Sequence, residues 1–188
     1  MCRTSLAFLV FLLTGCSAEQ ARMPLMVAQA PTIPGEPASY RGAISVEPVE
    51  VRALAPPWGS EISPRILKEA LTNSLAVRGL FVYGEPSYRL FATVEDVQQK
   101  LDELILGLDI TVFIEMNYRL IESDTGAEII NETIITSSKQ PFRYLSAAER
   151  TQAATEEAIK ENIESILKKL VRSEPNSEDR DIVVAGPE

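Results

Sequence analysis

Glu115, Asn117 and Arg119 are the polar residues placed most favourably for contact chemistry. They alternate with Ile114, Met116, Tyr118 and Leu120, so a strand puts all three on one face and the apolar residues on the other. Glu115 and Arg119 are four residues apart, about 13 Å along a strand, too far for a direct pair and suited to cross-strand or partner contacts. Trp58 is the only tryptophan and lies in the turn-rich Pro56-Pro57-Trp58-Gly59-Ser60 segment, where an indole can anchor a partner or plug the end of a sandwich. Asp109, Asp124 and Glu95 carry carboxyl groups for acid–base work, but nothing in their spacing brings two together. The chain has no histidine, which removes Ser-His and Cys-His nucleophile pairs, His bases and His-containing zinc sites. No glycine-rich phosphate loop or metal-ligand cluster is present either. No cofactor, no metal and no enzymatic constellation are expected.

With 188 residues, 45% of them hydrophobic, the chain can bury one ordinary core. Its net charge of −9 repels phosphate backbones and anionic headgroups, so nucleic acid is not an expected partner. We read the acid excess as a solubilising surface.

The N-terminus has its own organisation. Arg3 is the only charge before an apolar run from Leu6 to Leu13, and Thr14, Gly15 and Cys16 follow. A basic start, a short apolar middle and small residues at the end predict a signal peptide over residues 1–15. The run is far shorter than the roughly 20 apolar residues that span a bilayer as a helix. Leu13-Thr14-Gly15-Cys16 resembles the lipobox of bacterial lipoproteins. That resemblance implies cleavage between Gly15 and Cys16, thioether lipidation of Cys16 and acylation of its new amino group. Cys2 would leave with the signal peptide, so no internal disulfide can form. Ser17 after the cysteine implies sorting to the periplasmic face of the outer membrane, with the inner membrane as the alternative.

Residues 16–41 follow, with Pro24, Pro31, Pro34 and Pro37 spaced against steady helix or sheet, and predict a disordered tether behind lipidated Cys16. Residues 172–188 are acidic, carry Pro175 and Pro187, and predict a disordered tail. Between them, residues 42–171 predict one domain. Ile44, Val46, Val49 and Val51 around Pro48 suggest a first strand that is bent or at a sheet edge. Ser63 as N-cap, Pro64, and Leu67, Leu71 and Leu75 predict a helix closed by Arg78 and Gly79. Tyr88 to Val94 and Ile110 to Leu120 alternate as strands, and Ser123-Asp124-Thr125-Gly126 turns into a strand over Glu128 to Thr136. Asp96 to Leu108 reads equally as extended strand or short helix. Ser146 to Glu149 forms a capping box for a helix to about Val171, with Glu156–Lys160 and Glu164–Lys168 pairs on its wet side. Asn162 interrupts that helix's apolar stripe and reads as a satisfied buried amide, and Tyr88 and Tyr118 read as core residues with rim hydroxyls. The order β-α-β-β-β-α predicts an α+β two-layer sandwich, with an antiparallel sheet of about four strands and two helices on one face.

Trp58-Gly59-Ser60, then Leu67, Glu69, Ala70 and Leu71, Gly79-Leu80, Asp109-Ile110-Thr111-Val112, Tyr118-Arg119-Leu120, Ala158 and Asn162-Ile163 together resemble a family of small alphaproteobacterial periplasmic lipoproteins of unclear function. The resemblance covers roughly Tyr40 to Leu170. Some members carry the label UDP-N-acetylglucosamine acyltransferase, but true acyltransferases of that name are hexapeptide-repeat β-helices with a catalytic histidine, and this chain has neither. A more distant resemblance, in element order, is to lipopolysaccharide-assembly and transport-auxiliary lipoproteins. It implies scaffolding of a transenvelope assembly or transport machine; the tether, the anchor and a half-wet sheet likewise favour a non-catalytic interaction or scaffolding role with an envelope protein partner, with a carrier of an apolar ligand as alternative and, from the family label alone, an enzyme on acylated sugars behind it.

Overall fold

The computed structural model describes residues 26–28, 40–59, 61–104, 107–142 and 146–172. The predicted signal peptide, Gly15, Cys16 and the predicted acidic tail from residue 173 lie outside them.

Among the described residues, five strands and two helices make up the α+β sandwich. β1 (Ile44–Val46) and β2 (Glu50–Val51) precede helix α1 (Pro64–Val77). β3 (Tyr88–Leu104), β4 (Gly107–Glu122) and β5 (Glu128–Gln140) follow as a meander, and α2 (Ala147–Arg172) closes the domain. The sheet order is β1-β3-β4-β5, with β2 also on β3. β3, β4 and β5 pair antiparallel, as the alternation predicts. β1 and β2 pair parallel to β3, so the sheet is mixed rather than wholly antiparallel. The cause is the intervening helix: a strand that returns through a crossover helix enters beside its predecessor in the same direction. Pro48 interrupts the edge, which explains two short strands in place of one.

Both helices cover one sheet face. Leu67, Leu71 and Leu75 of α1 and Ala158, Ile159, Ile163, Ile166 and Leu170 of α2 are fully buried against Leu90, Val94, Val112, Ile114, Met116 and Leu120. α1 ends as the sequence predicts. Gly79 sits at φ +69°, with its N–H on Ala76 O and the Leu80 N–H on Leu75 O, both at 2.9 Å, the paired bonds of a Schellman cap. At its start Ser63 occupies the N-cap position without a side-chain bond. The Ser146 capping box forms: Glu149 accepts from Ser146 N at 2.7 Å, and Ser146 Oγ accepts from Glu149 N at 3.2 Å.

One ambiguity is resolved and three expectations are corrected. The ambiguous stretch is extended: β3 runs on to Leu104, past a bulge between Val94 and Asp96. Val94 and Val97 both face the helices, whereas unbroken alternation would put them on opposite faces. Glu156 is buried, not on the wet side, and accepts a hydrogen bond from Gln152 at 3.0 Å, while Lys160 pairs with Glu157. Tyr118 is buried completely, so its hydroxyl is inside the core, 3.4 Å from Met116 Sδ, and not at the rim. Finally, the predicted tether is held at both ends of its second half. Met26 and Ala28 are buried, and Tyr40 is buried with its ring edge-on to Tyr88 at 5.0 Å. The Ala28 N–H donates to Ser74 Oγ at 3.0 Å, which supplies the partner that a docked backbone needs.

Candidate functional site

The sheet face turned away from the helices carries the residues that alternation placed there. Arg89, Phe91 and Thr93 of β3 stand on it beside Asn117 and Arg119 of β4, with Phe91 opposite Arg119 and Thr93 opposite Asn117. On β5 the cross-strand neighbours of Arg119 and Asn117 are Asn131 and Thr133. The sheet's other surface is closed by the helices, so this is the side on which polar groups meet solvent.

A groove of about 160 Å³ runs along it between the β1–β2 edge and the centre of the sheet. Pro48, Glu50 and Arg52 form one wall, Phe91, Thr93 and Glu95 the floor, and Asn117 and Arg119 the far wall. Arg52 spans the near side, donating to Glu50 Oε2 at 2.9 Å and to both oxygens of Glu95 at 3.0 and 3.2 Å. These carboxylates, Glu50 first, make the guanidinium still harder to deprotonate. Arg119 pairs with Glu128 at 3.2 Å, and its guanidinium lies over the Phe91 ring at 5.6 Å, as that of Arg89 does at 5.8 Å. Asn117 Nδ2 donates to Asn131 Oδ1 at 3.1 Å and Thr133 Oγ1 at 3.2 Å. That leaves the Asn117 carbonyl as an acceptor at the groove. The lining holds a short apolar floor between alternating charges of both signs, a surface that selects by hydrogen bonding and charge register.

A second depression of about 140 Å³ lies beyond the bulge, lined by Asp96, Gln98, Phe113, Glu115 and Ile135. Ile135 is 65% exposed, so this part of the face is more apolar. Asn117 and Arg119 thus share one depression and Glu115 lines its neighbour. Trp58 stands apart, 44% exposed in the connection before α1, where a turn closes with Gly59 N–H on Pro56 O at 2.9 Å. An added Cβ at Gly59 would come within 3.1 Å of Thr151, which places this turn beside the first half of α2.

Sequence reasoning passed over Phe91, Arg52 and Glu50. Phe91 was legible as the wet-face member of the Tyr88–Val94 alternation; Arg52 was not, because its role depends on β2 joining β3 in parallel. The three candidate carboxylates stay separate. Glu95 is bound to Arg52, and Asp124 sits in the hairpin turn. Asp109, at the other end of β4, pairs with Lys139 at 2.9 Å and accepts from Phe142 N at 3.0 Å. Lys139 first and Phe142 next hold its carboxyl below the usual range. Among the described residues no three His, Cys, Asp or Glu side chains converge to hold a metal, and no helix is long and apolar enough to cross a membrane.

No protein-family model matches the chain, and no curated protein matches it in sequence. Solved structures match in fold. Protein XCC0632 of Xanthomonas campestris, of family DUF330, superposes with TM-score 0.54 at 12% identity, over 76% of this chain and 90% of that one. Hypothetical protein CT253 of Chlamydia trachomatis gives 0.50 at 11%, over 69% and 95%. A minor lipoprotein of Acinetobacter baumannii gives 0.44 at 10%, over 71% and 94%. The first two establish the α+β sandwich as a fold found elsewhere among bacterial proteins.

Proposed function

We propose that this chain is a lipid-anchored lipoprotein of the bacterial envelope that works without catalysis, holding a protein partner for an envelope assembly or transport machine. Cys16 is the lipidation site, cleaved after Gly15 and set at the periplasmic face of the outer membrane. The observation that carries the reading is the open sheet face: a rigid, helix-backed surface on which Asn117, Arg119, Arg52 and Glu95 line a shallow groove and Glu115 and Ile135 continue it. Such a face offers many weak polar contacts in fixed register and no confined reaction space, which suits a partner segment better than a substrate.

A photo-crosslinking residue in place of Asn117, with the protein at native level in its own envelope, tests the reading. It should capture one envelope protein reproducibly, and Arg119→Glu should abolish that capture. The same residue at Lys168, on the exposed side of α2, should not capture it. Equal capture from both positions would refute the assignment of the face. Turnover of an acylated sugar by the purified protein would refute the non-catalytic part.

A further inference from the structure

The segment behind Cys16 has two fixed points on the domain. Met26 is 1% exposed, Ala28 is fully buried, and both join the main hydrophobic cluster. Ser74 holds the contact in place: it is fully buried, accepts the Ala28 N–H at 3.0 Å and donates its own proton to Ala70 O at 2.7 Å. A serine in the buried stripe of α1 has no packing advantage over alanine, and a backbone N–H to satisfy accounts for its presence. The second point is Tyr40, wedged against Tyr88.

We infer that residues 26–28 form a strap which, docked on α1 through Met26, Ala28 and Ser74, shortens the free connection between the membrane and the domain. This rests on the proposed anchorage at Cys16. Without the strap, residues 16–39 would span up to about 85 Å; with it, only residues 16–25 count, at most about 35 Å. Residues 29–39 lie between two docked points and add nothing to the reach. The strap holds the domain, and the groove on its open face, close to the bilayer.

The position of an insertion is the test. The full-length protein, labelled at Asp124→Cys and reconstituted in vesicles carrying an acceptor lipid dye, reports its mean distance from the bilayer by energy transfer. Six Gly/Ser residues inserted after Gln20 should increase that distance, and the same six after Thr32 should not. Met26→Asp should make the two insertions equivalent. Equal effects in the parent protein, or an asymmetry that survives Met26→Asp, would overturn the strap. Hydrogen exchange gives an arm independent of the lipid. Ala28 should be protected, and Ser74→Ala should reduce its protection about tenfold while β4 amides keep theirs. An Ala28 amide exchanging at the rate of free peptide overturns the strap whatever holds the chain to the membrane. Cys16→Ser protein that stays in the membrane fraction refutes the anchorage and leaves the exchange result to decide on the strap.

Discussion

Asn162 reaches out of the middle of α2 and donates its Nδ2 proton to the main-chain carbonyl of Ile134 at 2.9 Å, joining the closing helix to the edge strand. The same nitrogen lies 3.1 Å from Thr136 Oγ1, and that hydroxyl donates to Ala158 O at 2.7 Å, so helix and strand are cross-linked in both directions. Among the described residues β5 has a strand neighbour on one side only, and these bonds fix the helix register over it. Replacing Asn162 with alanine removes a buried donor and strands its acceptors. The loss should be about 1–3 kcal/mol, seen as a lower denaturant midpoint with unchanged slope.

Gly79 is set by backbone conformation, because at φ +69° a side chain is strained even where space is open. Gly79→Ala should destabilise by roughly 1 kcal/mol, and thermal unfolding will show it. Gly84→Ala, where φ is not positive and a Cβ meets nothing, should be near neutral in the same measurement.

Asp109 gives a pH signature. Its folded-state pKa is lowered by Lys139 and the Phe142 N–H, so its contribution is complete above the unfolded carboxylate pKa of about 4 and disappears as pH falls through the lower folded value. Asp109→Asn should therefore be less stable than the parent near neutral pH, and the gap should close in acid. Glu149, lowered by the Ser146 N–H and hydroxyl, should give a parallel trend in Glu149→Gln. Urea unfolding from pH 6 to pH 2 measures both, and a gap that widens in acid would contradict the pairing.

Tyr118 tests the core. Burial pushes its phenol far above the ordinary range, so it will stay protonated through the usual phenol range when phenolate absorbance is followed in the folded protein. Among the described residues its hydroxyl has only the Met116 sulfur as a partner, a weak acceptor. Tyr118→Phe should thus cost less than about 1 kcal/mol, far less than Tyr118→Ala.

The elements carried by local pattern were readable in advance. The Leu67–Leu71–Leu75 stripe, the Gly79 cap, the Ser146 box and the even-numbered core of β4 depend on neighbours within a few residues. What escaped depends on distant partners. The parallel edge follows from how a crossover helix returns the chain, Glu156 is buried by its packing surroundings and not by its spacing, and Met26 reads as tether until α1 is beside it. For the site, the shared face of Glu115, Asn117 and Arg119 was legible from parity alone, but their division between two depressions was not, since Glu50, Arg52 and Glu95 define one of them from other strands.

Beyond Val94, β3 became unreadable for a specific reason. Leu90, Ala92 and Val94 point to the helices on even numbers, whereas Val97 and Gln99 do so on odd ones, Gln99 reaching Thr151 at 3.3 Å. The extra residue at the bulge changes the phase of one continuous ribbon. It gives this position an asymmetry between two kinds of change. Exchanging Glu95 for another residue alters the groove and leaves the bulge in place, whereas deleting it makes Val94 and Asp96 consecutive, which closes the bulge, removes the partner of Arg52 and still leaves Val97 and Gln99 towards the helices by plain alternation. A chain descending from this one can lose that letter and keep both halves of β3 in phase with β4, giving up part of the groove and not the fold.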